Sequence, residues 1–273
     1  MTHRPPVLQR GTTPLLISLP HCGTELPDDI ARHMVPRAKA VEDTDWLMAP
    51  LYAFAREMGA GLLVPAYSRY VIDLNRPPDN APMYPGANNT ELCPTRFFTG
   101  EDIYLPGLAP DAAEVERRRA LYWQPYHDLL HDELNRLKAQ HGHAVLFDGH
   151  SIRSVLPWLF EGQLPDLNLG TVTGTSCATS LRDALGDVLA GQQHFTQVVD
   201  GRFKGGYITR RHGQPAQGIH AVQLEMCWRC YLDESVTPTR ETQLQPEHIA
   251  QIQPVLQALV QVMRDWRPQA AQP

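Results

Sequence analysis

The sequence predicts an α/β protein whose β-sheet is covered by helices on its faces. Short apolar runs rich in β-branched residues alternate along the chain with longer segments of helical periodicity, and that order is typical of this class. The chain has 273 residues, of which 42% are hydrophobic and 20% are charged. These values are those of an ordinary globular protein with a substantial core, and we expect a single domain.

Five segments are predicted to be β-strands, because each is short and mostly apolar and is bounded by polar or turn-forming residues. They are, in chain order, "LLISL" (15–19), "LLVPA" (62–66), "YVIDL" (70–74), "AVLFD" (144–148) and "AVQLEM" (221–226).

Three longer segments show helical periodicity, namely residues 45–59, 111–142 and 248–266. Gly59 and Gly142 stand where helix ends are expected, because glycine readily adopts the left-handed conformation that terminates many helices. Pro125 falls inside the middle segment and is expected to kink or divide that helix.

Residues 76–108 are rich in proline and are predicted to form a long loop packed on the body of the protein. Long loops in α/β proteins often shape the functional site, and we expect this one to do so. The tail from residue 267 is expected to fray.

Charge and hydropathy exclude several classes of partner. The formal net charge is -6, from 24 Lys and Arg against 30 Asp and Glu, and the basic residues are scattered along the chain. Such a distribution argues against a nucleic-acid partner. No apolar run has the length of a signal-peptide core or of a bilayer-spanning helix, so we expect no membrane partner and a cytoplasmic location.

The five cysteines are an odd and sparse set, which argues against a disulfide framework. Cys227 and Cys230 have C-x-x-C spacing, but a zinc site would need a second pair of ligands and a redox site would need a thioredoxin-like context. A thiol redox protein built on this pair is therefore a distant alternative.

Two histidines each follow a strand candidate. His21 comes just before Cys22 and Gly23, and His150 comes just after Gly149. Ligands of open α/β sheets bind at the carboxyl ends of the strands, so the two imidazoles could converge there and bind a metal ion. The alternative is two hydrogen-bonded histidines in unrelated loops.

A catalytic zinc ion takes three protein ligands and leaves the fourth position to water, so the two histidines would need an acidic partner. Glu25 lies four residues after His21, and "EDTDW" supplies Glu42, Asp43 and Asp45. Asp43 or Asp45 could instead cap the helix that follows. The residues alone leave this choice open.

A second pair of histidines competes with the first as a metal site. His127 and His131 lie at positions i and i+4 of a predicted helix, which is the spacing that metalloproteases use. Asp128 stands where the H-E-x-x-H motif has glutamate, and the charged neighbours favour a solvated helix face.

Glu225 lies inside an apolar strand candidate, between Leu224 and Met226. A carboxylate on a strand is costly when it faces the core and tolerable when it faces a polar cleft, so this placement indicates a site residue. Partial burial would raise its pKa toward the range of a general base. A solvent-exposed glutamate at the sheet edge is the alternative.

Basic residues in two segments could bind an anionic substrate, since the guanidinium group pairs with carboxylates through two parallel hydrogen bonds. A plain surface role is the alternative for both segments. The candidates are Arg69, Asn75 and Arg76 in "SRYVIDLNRP", and Arg202, Lys204 and Arg210 in the glycine-containing "GRFKGGYITR".

Seven motifs, in order and spanning about residues 8–266, together resemble the N-formylglutamate deformylase family, whose members are also called N-formylglutamate amidohydrolases. The motifs are "SLPHCG", "DTDW", "SRYVIDLNRP", "FDGHSIRS", "LPDLNLGT", "GRFKGGYITR" and "HAVQLEM". The resemblance implies one domain over residues 1–273, with a mixed central sheet like that of the zinc carboxypeptidases and aspartoacylases. It also implies one zinc ion per chain, with another divalent transition metal as an alternative.

For activity, the resemblance implies cleavage of N-formyl-L-glutamate to formate and L-glutamate, the last step of one histidine degradation route. His21 and His150 match the metal-binding histidines of the family, and Glu225 matches its strand glutamate. The third ligand of the related carboxypeptidases comes from H-x-x-E, but Thr24 stands at that position here. We therefore predict Asp45 as the third ligand, with Asp43 and Glu25 as alternatives.

The mechanism implied by the resemblance has a metal-bound water attack the formyl carbon while Glu225 acts as the general base. Arg69 would stabilise the oxyanion, and Asn75 and Arg76 would hold a carboxylate of the small anionic N-acyl amino acid substrate. The alternatives are a related amidohydrolase acting on another N-acyl amino acid or small peptide, and a non-catalytic anion-binding domain. A monomer or a small homo-oligomer is expected.

Overall fold

A computed structural model describes residues 4–83 and 88–268 of the chain. Its centre is one seven-stranded sheet with the strand order β1-β3-β2-β4-β7-β5-β6. The strands are β1 Val7–Gln9, β2 Leu15–Ser18, β3 Gly61–Val64, β4 Ala144–Ile152, β5 Leu167–Gly170, β6 Gln197–Val199 and β7 Ile219–Cys227.

The sheet is mixed. Strands β3, β2, β4 and β7 run parallel to one another, and β5 and β6 are parallel to each other. The change of direction lies between β7 and β5, and the edge strand β1 is also antiparallel to its neighbour β3. Every residue of β2, β4 and β7 is buried, because elements packed on both faces shield this part of the sheet from water. The predicted α/β class is therefore confirmed.

Eight α-helices flank this sheet in the described ranges. They are α1 Asp28–Ala31, α2 Met48–Leu51, α3 Phe54–Glu57, α4 Ala112–Arg118, α5 Gln124–His141, α6 Thr179–Gly191, α7 Tyr207–His212 and α8 Pro246–Asp265. None of these helices is long and apolar enough to cross a membrane.

The predicted long middle helix is divided as Pro125 suggested. A π-helical turn, Arg119–Trp123, lies between α4 and α5, and Pro125 lies in the first turn of α5 directly after it. Gly142 ends α5 with a left-handed φ of 79°. The C-terminal helix is also confirmed.

The single helix predicted over residues 45–59 is wrong, because α2 and α3 are two separate short helices. The main-chain N–H of Asp45 donates to the carbonyl of His21, and Leu47 adopts a left-handed φ of 59°. These two features hold the start of the segment out of a helical path.

The strand predicted over residues 70–74 is also wrong. The Tyr70 N–H bonds the hydroxyl of Ser68, and the Asn75 N–H bonds the carboxylate of Asp73 at 2.8 Å. Side-chain bonds of this kind form turns that compete with strand pairing. The short strands β1, β5 and β6 were not predicted, since three or four residues carry little periodic signal.

Residues 76–108 form the predicted long loop, without helix or extended strand in its described part. Thr90 and Phe98 from this loop line the cavity described below, which confirms its expected position. Residues 269–273 of the C-terminal tail lie outside the described residues, so fraying there stays a prediction. All five cysteines are free thiols.

Candidate active site

A cavity lies at the carboxyl ends of β2, β4 and β7. His21 comes three residues after the end of β2, while His150 and Glu225 lie near the ends of β4 and β7 and are direct partners in the parallel ladder. Side chains from the long loop and from the segment before α7 complete the walls. The lining includes Asp45, Arg69, Asn75, Arg76, Thr90, Phe98, Arg202, Gly206 and Gln223.

At the floor of the cavity, His21, Asp45 and His150 converge in a buried cluster that could hold a metal ion. The two Nδ1 atoms are 3.1 Å apart, and Asp45 Oδ2 lies 3.2 Å from His150 Nδ1 and 3.7 Å from His21 Nδ1. Tetrahedral coordination with bonds of about 2.0–2.2 Å would separate ligand atoms by roughly 3.3–3.6 Å. The spacing and the donor types therefore fit a zinc ion with one position left open.

The outward-facing nitrogen of His21 is also engaged. His21 Nε2 donates to Asp73 Oδ1 at 2.7 Å, which leaves the lone pair of Nδ1 directed into the cluster. Histidine ligands of metal ions typically have a carboxylate or carbonyl partner of this kind. The arrangement around His21 is thus compatible with a metal ligand.

His150 has two partners at its Nε2 atom. Asn75 Nδ2 lies 2.9 Å away and Asp148 Oδ2 lies 3.1 Å away. Burial would lower the pKa of His150, but the carboxylates of Asp148 and Asp45 outweigh this and hold it well above its usual range. Asn75 is itself fixed, because its Oδ1 accepts the Ile208 N–H at 2.8 Å.

Asp45 is held between the two histidines. Its Oδ2 accepts the Ser151 N–H at 3.2 Å, and its Oδ1 has no hydrogen-bond partner although it is buried. Burial would raise the pKa of Asp45, but hydrogen bonds from His150 and His21 hold it well below its usual range. Asp45 is therefore a carboxylate with one oxygen unused.

The two alternative acidic ligands are engaged elsewhere. Asp43 Oδ2 accepts the Tyr70 hydroxyl at 2.7 Å and the Phe98 N–H at 3.0 Å, and burial raises the Asp43 pKa to about 6. Glu25 forms a partly exposed ion pair with Arg4. Of the three carboxylates considered from the sequence, Asp45 is the one that the structure brings to both histidines.

Glu225 faces the cavity from β7. Burial, the largest influence, raises its pKa to about 8. The charges of His150 and Arg69 lower that pKa, and the charges of Asp45 and Asp148 raise it. A buried carboxylate with a raised pKa beside an open cavity is suited to accept a proton.

Arg69 lies against the same cluster. Its Nη2 donates to Asp73 Oδ2 at 2.6 Å, its Nη1 is 3.8 Å from Asp45 Oδ1, and its guanidinium carbon lies 4.6 Å from the centre of the Phe98 ring. The Nε atom is buried without a partner. Arg69 is thus a fixed positive charge at the cavity wall.

Two further arginines line the cavity. Arg76 donates to the carbonyl and hydroxyl of Thr90 at 3.0 and 2.8 Å, and Arg202 donates to the carbonyl of Leu159 at 3.2 Å. The side chains of Lys204 and Arg210 are exposed and are not part of the lining.

The competing histidine pair on α5 does not converge on a ligand. His127 is buried, bonds the Leu74 carbonyl at 2.9 Å and stacks on Trp123 with a centroid distance of 3.7 Å. His131 is exposed and pairs with Asn135 on the same helix. The surroundings of His127 are those of a structural residue.

Several residues at the site had no role predicted from the sequence: Asp73, Phe98, Asp148, Gly206 and Gln223. Asp148 could have been found from strand periodicity, because it lies two residues before His150 and therefore on the same face of the strand. Asp73 was hidden by the incorrect strand, and Phe98 lies in a loop that has no periodicity.

A mixed α/β sheet that carries a His–Asp–His cluster, a buried glutamate and three arginines around one cavity defines a class: an α/β protein with a candidate metal-assisted hydrolytic site. The family is then given by comparison with known proteins. The profile of the N-formylglutamate amidohydrolase family matches residues 13–232, and the chain belongs to this family. The resemblance drawn from the seven motifs is confirmed.

Curated relatives cover nearly the whole chain. A Pseudomonas putida protein named N-formylglutamate deformylase is 46% identical over 258 residues, covering 94% of each chain. A Pseudomonas aeruginosa protein of the same name is 47% identical over 252 residues, covering 92% of this chain and 94% of its own.

Solved structures share the fold. The crystal structure of N-formylglutamate amidohydrolase from Ralstonia eutropha JMP134 has a TM-score of 0.76 at 24% identity and covers 95% of both chains. A gene product of Agrobacterium tumefaciens has a TM-score of 0.71 at 18% identity, again over 95% of both chains.

Proposed function

We propose that this protein hydrolyses N-formyl-L-glutamate to formate and L-glutamate with one Zn²⁺ ion held by His21, Asp45 and His150. The observation that carries the proposal is the buried triangle of two Nδ1 atoms and one carboxylate oxygen beside Glu225. The name shared by relatives at 46% and 47% identity supports the substrate.

The donor set favours zinc over harder cations, since imidazole nitrogens with a single carboxylate suit zinc, and oxygen-rich sites suit magnesium or calcium. A zinc ion bound there would supply Lewis-acid chemistry, because it lowers the pKa of a water ligand to about 7 and polarises a carbonyl oxygen.

Glu225 accepts the proton of the attacking water and then gives it to the departing amino group of glutamate. Its position on β7, in register with His150 on β4, places it beside the cluster. Its raised pKa, about 8, suits both halves of this transfer near neutral pH.

Arg69 stabilises the negative charge that develops on the formyl oxygen, since its guanidinium group is already fixed beside Asp45. Arg76 and Arg202 bind the substrate carboxylates at the cavity wall. Asn75 lines the same cavity and contacts a substrate carboxylate, and its Nδ2 atom also lies 2.9 Å from His150 Nε2. Lys204 and Arg210 add positive charge outside the lining.

The substrate is tested by measuring formate release from N-formyl-L-glutamate and from N-formyl-L-glutamine, in which only the side-chain charge is lost. We expect kcat/KM to fall roughly 10- to 100-fold with the glutamine analogue, because a hydrogen bond to a charged group contributes about 1.5–3 kcal/mol. The preference for the formyl group is tested by measuring the release of L-glutamate from N-acetyl-L-glutamate. Equal rates with all three compounds would favour a broader amidohydrolase, and tight glutamate binding without turnover would favour an anion-binding domain.

The zinc requirement is tested by removing metal with a chelator and adding back Zn²⁺, Mg²⁺ or no metal. We expect the activity to return after addition of Zn²⁺, or of another divalent transition metal, and not after addition of Mg²⁺. Full activity of the metal-free protein would contradict the proposal.

We also propose, from the family resemblance, that the reaction ends a histidine degradation route in the cytoplasm. Growth on histidine of a deformylase-deficient bacterium carrying this protein would test that role.

A further inference from the structure

We infer that Asp73 is a positioning residue that joins His21 of the metal cluster to Arg69 through a single carboxylate. The inference deepens the proposed function and rests on it where zinc binding is concerned. It assigns Asp73 no contact with the substrate.

Each oxygen of Asp73 has its own partner on the site. Oδ1 accepts His21 Nε2 at 2.7 Å, and Oδ2 accepts Arg69 Nη2 at 2.6 Å. Arg76 Nη1 lies 3.7 Å from Oδ2 on the other side. The charge of one carboxylate is therefore shared between a candidate metal ligand and the arginine proposed to stabilise the oxyanion.

The carboxylate of Asp73 is rigidly held. It is fully buried, and its Oδ1 also accepts the main-chain N–H of Asn75 at 2.8 Å. The Asp73 N–H in turn donates to the Leu92 carbonyl at 2.7 Å. A side chain fixed at both oxygens and at the main chain can set the orientation of its partners, whereas a mobile one would adapt to them.

The direction of the His21 bond has a chemical consequence. A carboxylate only accepts, so Nε2 must carry the proton and Nδ1 is left to face Asp45 and His150. An amide at residue 73 has the same shape but can offer an oxygen to only one of its two partners. The other partner then faces the NH₂ group of the amide. If that partner is Arg69, its hydrogen bond is lost; if it is His21, the proton must move from Nε2 to Nδ1.

Asp73→Asn tests the inference, with Asp200→Asn as the matched control. Asp200 is another carboxylate with little exposed side-chain surface, bonded to the main chain and hydroxyl of Thr171 and not part of the cavity lining. The first readout is Zn²⁺ affinity, measured by competition with a chromophoric chelator. We expect Asp73→Asn to weaken Zn²⁺ binding about 10- to 100-fold and Asp200→Asn to leave it within twofold.

The second readout does not depend on bound metal or on activity. In protein labelled with ¹⁵N at histidine, and assigned with the His21→Gln variant, Nε2 of His21 should be protonated both without metal and with Zn²⁺. Asp73→Asn should shift or remove that N–H resonance, and Asp200→Asn should not. An unprotonated Nε2 in the wild-type protein would overturn the inference even if Asp73→Asn failed to fold.

The Arg69 half of the inference is tested by a double-mutant cycle with Arg69→Lys. If Asp73 acts partly through Arg69, the losses in kcat for Asp73→Asn and Arg69→Lys should be less than additive. Fully additive losses would overturn this half. Absence of Zn²⁺ binding by the wild-type protein would reject the proposed function, and the His21 resonance would still decide the role of Asp73.

Discussion

At the scale of single residues, the buried carboxylates of the site differ in how many hydrogen bonds they accept. Asp43, Asp45, Asp73 and Asp148 are all buried, and a buried charge is tolerable only when it is paired or hydrogen-bonded. Asp43 and Asp73 accept two or more hydrogen bonds each, whereas Asp45 Oδ1 accepts none. Asp45 is the one of these three that lines the cavity.

Glu225→Gln should reduce kcat by about 10²- to 10⁴-fold, because the amide cannot accept the proton of the attacking water. The side chain keeps its shape and is not a proposed metal ligand, so the zinc content should stay at the wild-type level. Formate release and metal analysis on the same preparation measure both quantities. Turnover within a few-fold of wild type would remove Glu225 from the mechanism.

Asp45→Asn and Asp43→Asn form a matched pair that identifies the acidic ligand. Loss of the Asp45 carboxylate should lower the zinc content strongly, because the cluster keeps only two ligands. Asp43→Asn should retain the metal, since Asp43 bonds Tyr70 and Phe98 instead. The reverse result in metal analysis would show that the ligand had been assigned to the wrong residue.

His21, His150 and Glu225 were predicted as site residues from their strand contexts, and all three line one cavity. The sequence left open the choices that geometry decides. The choice among Asp43, Asp45 and Glu25 depends on which carboxylate a turn directs inward, and the Asp45 N–H bond to the His21 carbonyl that sets this turn has no sequence signal.

At the scale of elements, the parallel register of β4 and β7 builds the site. Nine consecutive pairs join these strands, and the pair His150–Glu225 lies near their shared carboxyl end. A shift of one residue would turn Glu225 to the other face of the sheet. The long strands β4 and β7 and the helices α5 and α8 were predicted from their apolar periodicity, whereas the 13-residue helix α6 was missed. The turn at residues 70–75 was not predicted, because side-chain bonds of Ser68 and Asp73 override its strand-like composition.

Gly206→Ala should disturb the contact between α7 and the site. A Cβ at this position would lie 2.2 Å from Asn75 Nδ2, so Asn75 must move away from His150. We expect a loss of about 1–3 kcal/mol in the free energy of unfolding, together with lower activity.

Gly186→Ala on α6 is the control for this variant. No atom lies within 4 Å of the added Cβ, and alanine should stabilise the helix by about 0.5–1 kcal/mol. Urea unfolding and formate release measure both variants. A fully active and stable Gly206→Ala protein would show that Asn75 does not need its present position.

At the scale of the whole molecule, a layer of aromatic and histidine rings supports the site from α5 and α7. His127 stacks on Trp123, and its ring is nearly parallel to that of His212 at 6.0 Å. Trp123 also donates to the carbonyl of Arg76, a residue of the cavity lining, at 3.0 Å, which links this layer to the cavity wall. The layer joins residues distant in sequence, so helical periodicity alone could not reveal it.

The free energy of unfolding should decrease as the pH falls, because His127 and His212 are buried as neutral imidazoles. Burial lowers the pKa of His127 to about 4 and that of His212 to about 3, both below the usual value of 6.5. Between about pH 6.5 and pH 4 the unfolded chain binds more protons, so the free energy of unfolding decreases as the pH falls. The loss at pH 5 should be on the order of 2 kcal/mol per histidine.

This pH dependence is measured by denaturant unfolding of the wild type, His127→Gln and His131→Gln at pH 7 and pH 5. His127→Gln should have a smaller difference between the two pH values than the wild type. His131→Gln changes an exposed residue of the same helix and should keep the wild-type difference. Equal differences in all three proteins would show that His127 does not titrate on unfolding.

The central claim is that His21, Asp45 and His150 hold a zinc ion at the floor of the cavity. The most direct test is a crystal structure of the active protein with anomalous diffraction collected on both sides of the zinc absorption edge. We expect one anomalous peak per chain, contacting Nδ1 of both histidines and the Asp45 carboxylate. An active protein with no peak at this cluster, or with its only peak elsewhere, would contradict it.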